Sequence, residues 1–247
     1  MKYLFITGCA RSGTSALAQL IGSHGSIVMG MERFGHLVSH TNFTLTPEHF
    51  LPERFLDIRP EDTFYSNFSD FHCWDEFIYD KLNDNNLSYI GDKRPNIHLS
   101  YDQLFSRFPD ALLIYIYRDI YDVAASWNKR AREKCDWSVS DNYKKAVHVW
   151  NQSLKYTKHA LSKYPENIIC VRYENAFIHM HDLLALYRKL NLDIDASSQE
   201  KLHEIQSISN VLKFKRNDHA LSEKEISYCS KHASFSLEKE LDQINLI

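Results

Sequence analysis

The chain has 247 residues, 44% of them hydrophobic and 25% charged, with a formal net charge of −3. That length supports one large α/β domain, and the near-neutral balance removes any global electrostatic basis for a nucleic-acid or membrane partner. The longest strongly apolar run, residues 111–117, is far too short to cross a bilayer, and five scattered cysteines without CxxC spacing point to reduced thiols and a cytoplasmic protein.

Residues 3–7 read as a buried strand from the outset, so no signal peptide is expected. "GCARSGTSAL" follows, and residues 14–23 carry Leu17, Leu20 and Ile21 on one helical face. Further short apolar runs at 26–30, 87–92, 111–118 and 168–173 read as buried parallel strands. Helical periods occupy residues 141–163 and 182–190. No repeat or linker interrupts them. The expectation is a single domain over 1–247 with a three-layer, doubly wound α/β sheet of about five parallel strands, like that of P-loop NTPases. Residues 36–86, aromatic-rich and less regular, are expected to form a mostly helical lid or insertion over the ligand-binding edge of the sheet. Residues 191–247 are expected to be helical.

Two stretches carry chemistry. Gly8 and Gly13 have the spacing of a phosphate loop, but Thr14 stands where its lysine belongs. Arg11 places the positive charge inside the loop instead, and Ser12, Thr14 and Ser15 add hydroxyls at a helix amino end. The competing reading is a plain strand–helix turn. The second stretch is "YIYRDIYDVAASW", residues 115–127. Arg118 ends a strand, and Ser126, two helical turns on, leans back towards it, so both can reach one phosphate. The alternative pairs Arg118 with Asp119 or Asp122.

Together and in this order, "CARSGTSAL" and "YRDIYDVAASW" resemble the sulfotransferases that use 3′-phosphoadenosine 5′-phosphosulfate (PAPS). The resemblance implies that the first loop holds the 5′-phosphosulfate and that Arg118 and Ser126 hold the 3′-phosphate. "VRYENAF" is similar to a later family segment, which would put Tyr173 near the adenine. The family's basic glycine-containing loop has only "KFKRNDHALS" as a counterpart, on which Arg216 is assigned to the 3′-phosphate. The family needs no metal, and its product is adenosine 3′,5′-bisphosphate.

The resemblance also orders the catalytic candidates. Phenol-type members use a histidine two residues after a lysine, and here Pro95 occupies that place after Lys93. "GDKRP" instead resembles the GDKTP stretch of carbohydrate-type and bacterial members, which often use a glutamate after strand 2. Glu32 is therefore the expected general base and Lys93 the stabiliser of the leaving oxygen, with His98 the alternative base. The bland readings are a surface glutamate and a Lys93–Asp92 pair. A metal site at Glu32, His36 and His40 is not expected. The resemblance implies a small-molecule or glycan acceptor bearing a hydroxyl or amine, and the aromatics between Phe34 and Phe77 are expected either to line its pocket or to pack beneath a lid. A small-molecule kinase and an inactive nucleotide-binding module are the competing functions.

Overall fold

All five apolar runs become parallel strands, displaced from the expected limits by one or two residues at an end. A computed structural model describes residues 1–39, 41–62, 78–84, 86–133, 141–214 and 221–244, with 208–214 as backbone only. The strands are β1 (Lys2–Thr7), β2 (Ile27–Met31), β3 (Tyr89–Lys93), β4 (Leu112–Tyr117) and β5 (Ile168–Arg172). They lie in the order β2-β3-β1-β4-β5.

Alternation along these strands serves two cores. Leu4, Ile6, Ile114 and Ile116 face one side of the sheet, whereas Phe5, Leu113, Tyr115 and Tyr117 face the other. Both sets are buried, as a sheet covered on two faces requires. Helix α1 (Thr14–Ser23) seats Leu17, Leu20 and Ile21 on the first face. Each such side chain contributes about 1.5–3 kcal/mol on full burial. After α2 (Pro52–Leu56), helices α3 (Tyr101–Arg107), α4 (Ile120–Glu133) and α5 (Asn142–Lys163) cover the second face through Leu104, Val123 and Trp150. Beyond α6 (Tyr173–Phe177), α7 (His181–Lys189) and α8 (Ala196–Phe214) return to the first face. Cys229 of α9 (Glu223–His232) and Leu241 of α10 (Phe235–Ile244) join the second core.

The chain leaves β1 for the outer strand β2, returns to β3 beside β1, and then crosses to β4. This reversal opens a crevice at the carboxyl ends of the strands around β1, where open α/β sheets take ligands. The turn from β1 to α1 lies there.

The described part of the 36–86 segment is pinned to the second face. Phe50 packs edge-on against Phe5, Phe34 and Phe108, with ring centroids 5.6–5.8 Å apart. Phe34, Phe43, Phe50 and Phe55 are all buried, so these four pack rather than line a pocket. Phe64, Tyr65, Phe68, Phe71, Trp74 and Phe77 lie outside the described residues. Beneath the segment, buried Arg33 donates to the carbonyls of Phe55 and Asp57 and pairs with Asp62. Arg54 adds a two-pronged contact to the same carboxylate at 2.8 and 3.0 Å. Burial alone would raise Asp62, but hydrogen bonds from Arg54, the Arg59 amide and Arg33 hold it well below the usual carboxylate range.

At the other edge, Arg172 binds Glu174, Glu238 and Asp242, and Tyr117 donates to Asp242 at 2.6 Å. This cluster clamps α10 across the ends of β4 and β5. It is a feature the C-terminal sequence did not announce. Among the described residues no helix is long and apolar enough to cross a membrane.

Candidate active site

Residues 8–13 fold as a tight strand–helix turn because two positions accept left-handed backbone. Gly13 has φ 95°, and a Cβ there would sit 2.4 Å from Cδ2 of Tyr173. Arg11 has φ 75°, an uncommon conformation for a residue with a side chain. Gly8 is needed for a different reason, since a Cβ would lie 2.1 Å from the Ile116 carbonyl oxygen.

The two motifs meet. Arg11 Nε donates to Ser126 Oγ at 3.0 Å, across 115 residues of sequence. Trp127 Nε1 donates to the Ala10 carbonyl at 2.9 Å, fastening α4 to the loop. Asp119 caps α4 by accepting from the amides of Tyr121 and Asp122. Arg118 lies with its Cζ 4.2 Å above the Tyr173 ring and pairs with Asp122 at 2.8 Å. The Asp122 alternative is therefore the pairing present here, while Ser126 is held by Arg11 rather than by Arg118.

Several groups in this cluster await a partner. Ser12 Oγ and Arg118 Nε are buried, with no hydrogen-bond partner among the described residues. Such groups are costly unless a ligand or water satisfies them. Partial burial, then the charges of Arg130 and Arg118, push the Arg11 guanidinium below its usual range. An anion placed among these cations would relieve that repulsion. Thr14 is buried at the start of α1 and Ser15 is exposed beside it. Arg216 lies outside the described residues.

On the β2–β3 side, Lys93 Nζ contacts Glu32 Oε1 at 2.6 Å, so the lysine has this carboxylate as a partner besides the charge of neighbouring Asp92. Lys93 is buried, and Glu32 is about one-quarter exposed, at 23% of its side chain. Glu32 has φ 64°, and its amide donates to the Lys93 carbonyl, extending the ladder past the end of β2. Asp92 holds the turn that follows. Its carboxylate accepts from the amide of Arg33 at 3.1 Å and that of Phe34 at 3.5 Å. Burial pushes Asp92 up to about 6, against the pull of these amides and of Lys93. Gly30 leaves room for that carboxylate, since a Cβ would lie 2.7 Å from Oδ1.

His98 is buried, its ring 6.2 Å from that of Tyr156, and its Nδ1 has no partner among the described residues. Burial pulls it down to about 4. Cys9 is sealed in the core, and burial raises its thiol far above the range of a nucleophile. Glu32 and His36 do not share a helix, because the left-handed Glu32 precedes a short 3₁₀ turn at Gly35–Leu37. His40 lies outside the described residues.

Trp127 and Arg130 escaped the reading of the sequence, and Asp92 and Asp122 entered it only as alternative partners of Lys93 and Arg118. Asp122, Ser126 and Arg130 recur at four-residue spacing after Arg118, which is a legible signal for one helical row. The role of Asp92 has no such signal, since it depends on a turn 59 residues away.

The chain matches the model of the sulfotransferase family over residues 4–196. No curated protein matches it. Among solved structures it is similar to the sulfotransferase domain from the curacin biosynthetic pathway, with TM-score 0.55 and 18% identity, covering 81% of this chain and 77% of that one. The sulfotransferase domain of the Synechococcus PCC 7002 olefin synthase gives TM-score 0.52 and 17% identity, covering 80% and 76%. Sulfotransferase STF1 from Mycobacterium tuberculosis H37Rv gives TM-score 0.50 and 17% identity, covering 82% and 70%. At these identities the likeness is one of fold.

Proposed function

The chain belongs to the sulfotransferase family, and from that premise we propose that it transfers a sulfuryl group from PAPS to a hydroxyl or amine. The donor supplies an activated sulfuryl group on a phosphate. The observation that carries this reading is the joining of the two anion motifs through Arg11 and Ser126, with Arg118 stacked on Tyr173 alongside. The orphaned Ser12 hydroxyl and Arg118 Nε suit a ligand with two separated anionic groups.

In this reading Arg11, Ser12, Gly13, Thr14 and Ser15 hold the 5′ end of the donor. Arg118 and Ser126 hold the 3′-phosphate, joined by Arg216, and Tyr173 offers a face to the adenine. Glu32 takes the acceptor proton. The acceptor oxygen or nitrogen forms the new bond to sulfur as the bond to the bridging oxygen breaks, releasing adenosine 3′,5′-bisphosphate. Lys93 opposes the charge that develops on that oxygen and, through Oε1, keeps Glu32 in one orientation. The buried, weakly basic His98 supports assigning the base to Glu32. The described part of the 36–86 segment is assigned to the acceptor side.

Calorimetry with adenosine 3′,5′-bisphosphate tests the reading. Binding is expected without Mg²⁺, with ATP much weaker. Binding of ATP only with Mg²⁺, and none of the bisphosphate, would return the chain to phosphoryl transfer.

A further inference from the structure

We propose that Arg94 selects acceptors that carry an anionic group, a carboxylate, phosphate or sulfate, beside the hydroxyl or amine that is sulfated. The inference rests on the donor assignment above and goes beyond it by giving the acceptor a chemical class.

Position comes first. Arg118, Ser126 and Tyr173 follow β4 and β5, on one side of β1, whereas on the other Glu32 follows β2, Lys93 closes β3 and Arg94 follows it. A donor held across the β1, β4 and β5 ends turns its reactive end towards this second group. Arg94 therefore stands where the acceptor enters.

The backbone there is anchored on both sides. The Arg94 amide donates to the Ile6 carbonyl at 2.9 Å, and the Asn96 amide donates to the Gly8 carbonyl at 3.2 Å. Pro95 and the left-handed Asn96 between them restrict the turn further.

Charge supplies the second observation. Glu32 Oε1 already meets Lys93 at 2.6 Å, and Arg94 Nη1 lies 3.9 Å from Oε2, beyond hydrogen-bonding distance. One carboxylate thus stands between two cations. Of the two cations at Glu32, Lys93 is 1% exposed and Arg94 is 26% exposed, so Arg94 is the one that reaches solvent. Its planar fork suits two oxygens of a carboxylate or phosphate.

The test measures turnover of labelled donor with matched acceptors: methyl glucoside against methyl glucuronide, and glucose against glucose 6-phosphate. The wild-type chain is expected to favour the anionic member of at least one pair by about tenfold in kcat/KM, the scale of one charge-assisted contact. Arg94→Thr is expected to abolish that preference, mainly through KM, and Arg94→Lys to retain part of it. Bisphosphate affinity should be the same in all three proteins. Equal turnover of both members, turnover of neither by a chain that binds the bisphosphate, or a preference surviving in Arg94→Thr overturns the inference. Failure to bind the bisphosphate would instead remove the donor assignment on which it rests, and the calorimetry separates the two.

Discussion

Glu32 and His98 compete for the same task, and their surroundings differ in ways that a substitution can read. Glu32 is partly exposed, oriented by Lys93, and set on a turn held by Asp92. His98 is buried against Tyr156. Glu32→Gln keeps the shape of the side chain and removes the proton acceptor. Turnover at saturating donor and acceptor is expected to fall by about 10²–10⁴-fold, the usual share of a positioned general base, with bisphosphate affinity nearly intact. The acidic limb of the pH–rate profile should vanish with it. His98→Gln should keep both limb and turnover. A nearly active Glu32→Gln protein beside a dead His98→Gln protein would reverse the assignment.

At the scale of elements, the β1–α1 turn and the start of α4 form one unit, because Arg11, Ala10 and Gly13 each touch a residue from the second half of the chain. Gly13→Ala tests the turn. It forces a side chain into φ 95° and against Tyr173, so a loss of about 1–3 kcal/mol is expected on thermal or denaturant unfolding. Tyr173→Ala in the same chain should recover only the part due to the clash. Arg118→Ala tests the other half of the unit. Its cost should appear in bisphosphate binding, at about 1.5–3 kcal/mol for a charge-assisted contact, with Ser126→Ala milder. Unchanged affinity in both variants would mean that the 3′-phosphate binds elsewhere.

Across the whole molecule, buried titratable groups oppose one another in their effect on stability. His98 has a folded pKa of about 4, below the ordinary 6.5, so the unfolded chain binds the extra proton between these values. The stability it contributes is present above about 6.5 and is lost as pH falls towards 4. Asp92 and Glu238 are shifted upwards, to about 6 and about 7, chiefly by burial. Their contribution is present below the ordinary carboxylate values and is lost as pH rises through the folded ones. The two effects overlap and partly cancel near pH 5–6. His98→Gln should therefore make stability decline more steeply as pH rises from 4.5 to 6.5, and Glu238→Gln should make the same slope shallower. Chemical denaturation at a series of pH values reads both slopes.

The strands and the main helices were legible in the residues because hydrophobic period is a local property, set by which side chains must leave water. The loop was legible for a related reason: two glycines and a hydroxyl-rich helix start specify backbone that can approach an anion. Thr14 in place of lysine was likewise visible without any fold. Pairings were another matter. Arg118 had three possible partners within its own motif, and only the stacking of β4 beside β5 put Tyr173 under its guanidinium. Ser126 could be read as a partner of Arg118, yet the turn at Gly13 brings Arg11 to it first. Lys93 could have met Asp92, its neighbour, but successive strand residues point to opposite faces. The parallel pairing of β2 with β3 instead carries Glu32 to the lysine. Contacts between distant segments depend on strand order and register, which arise from packing the whole chain.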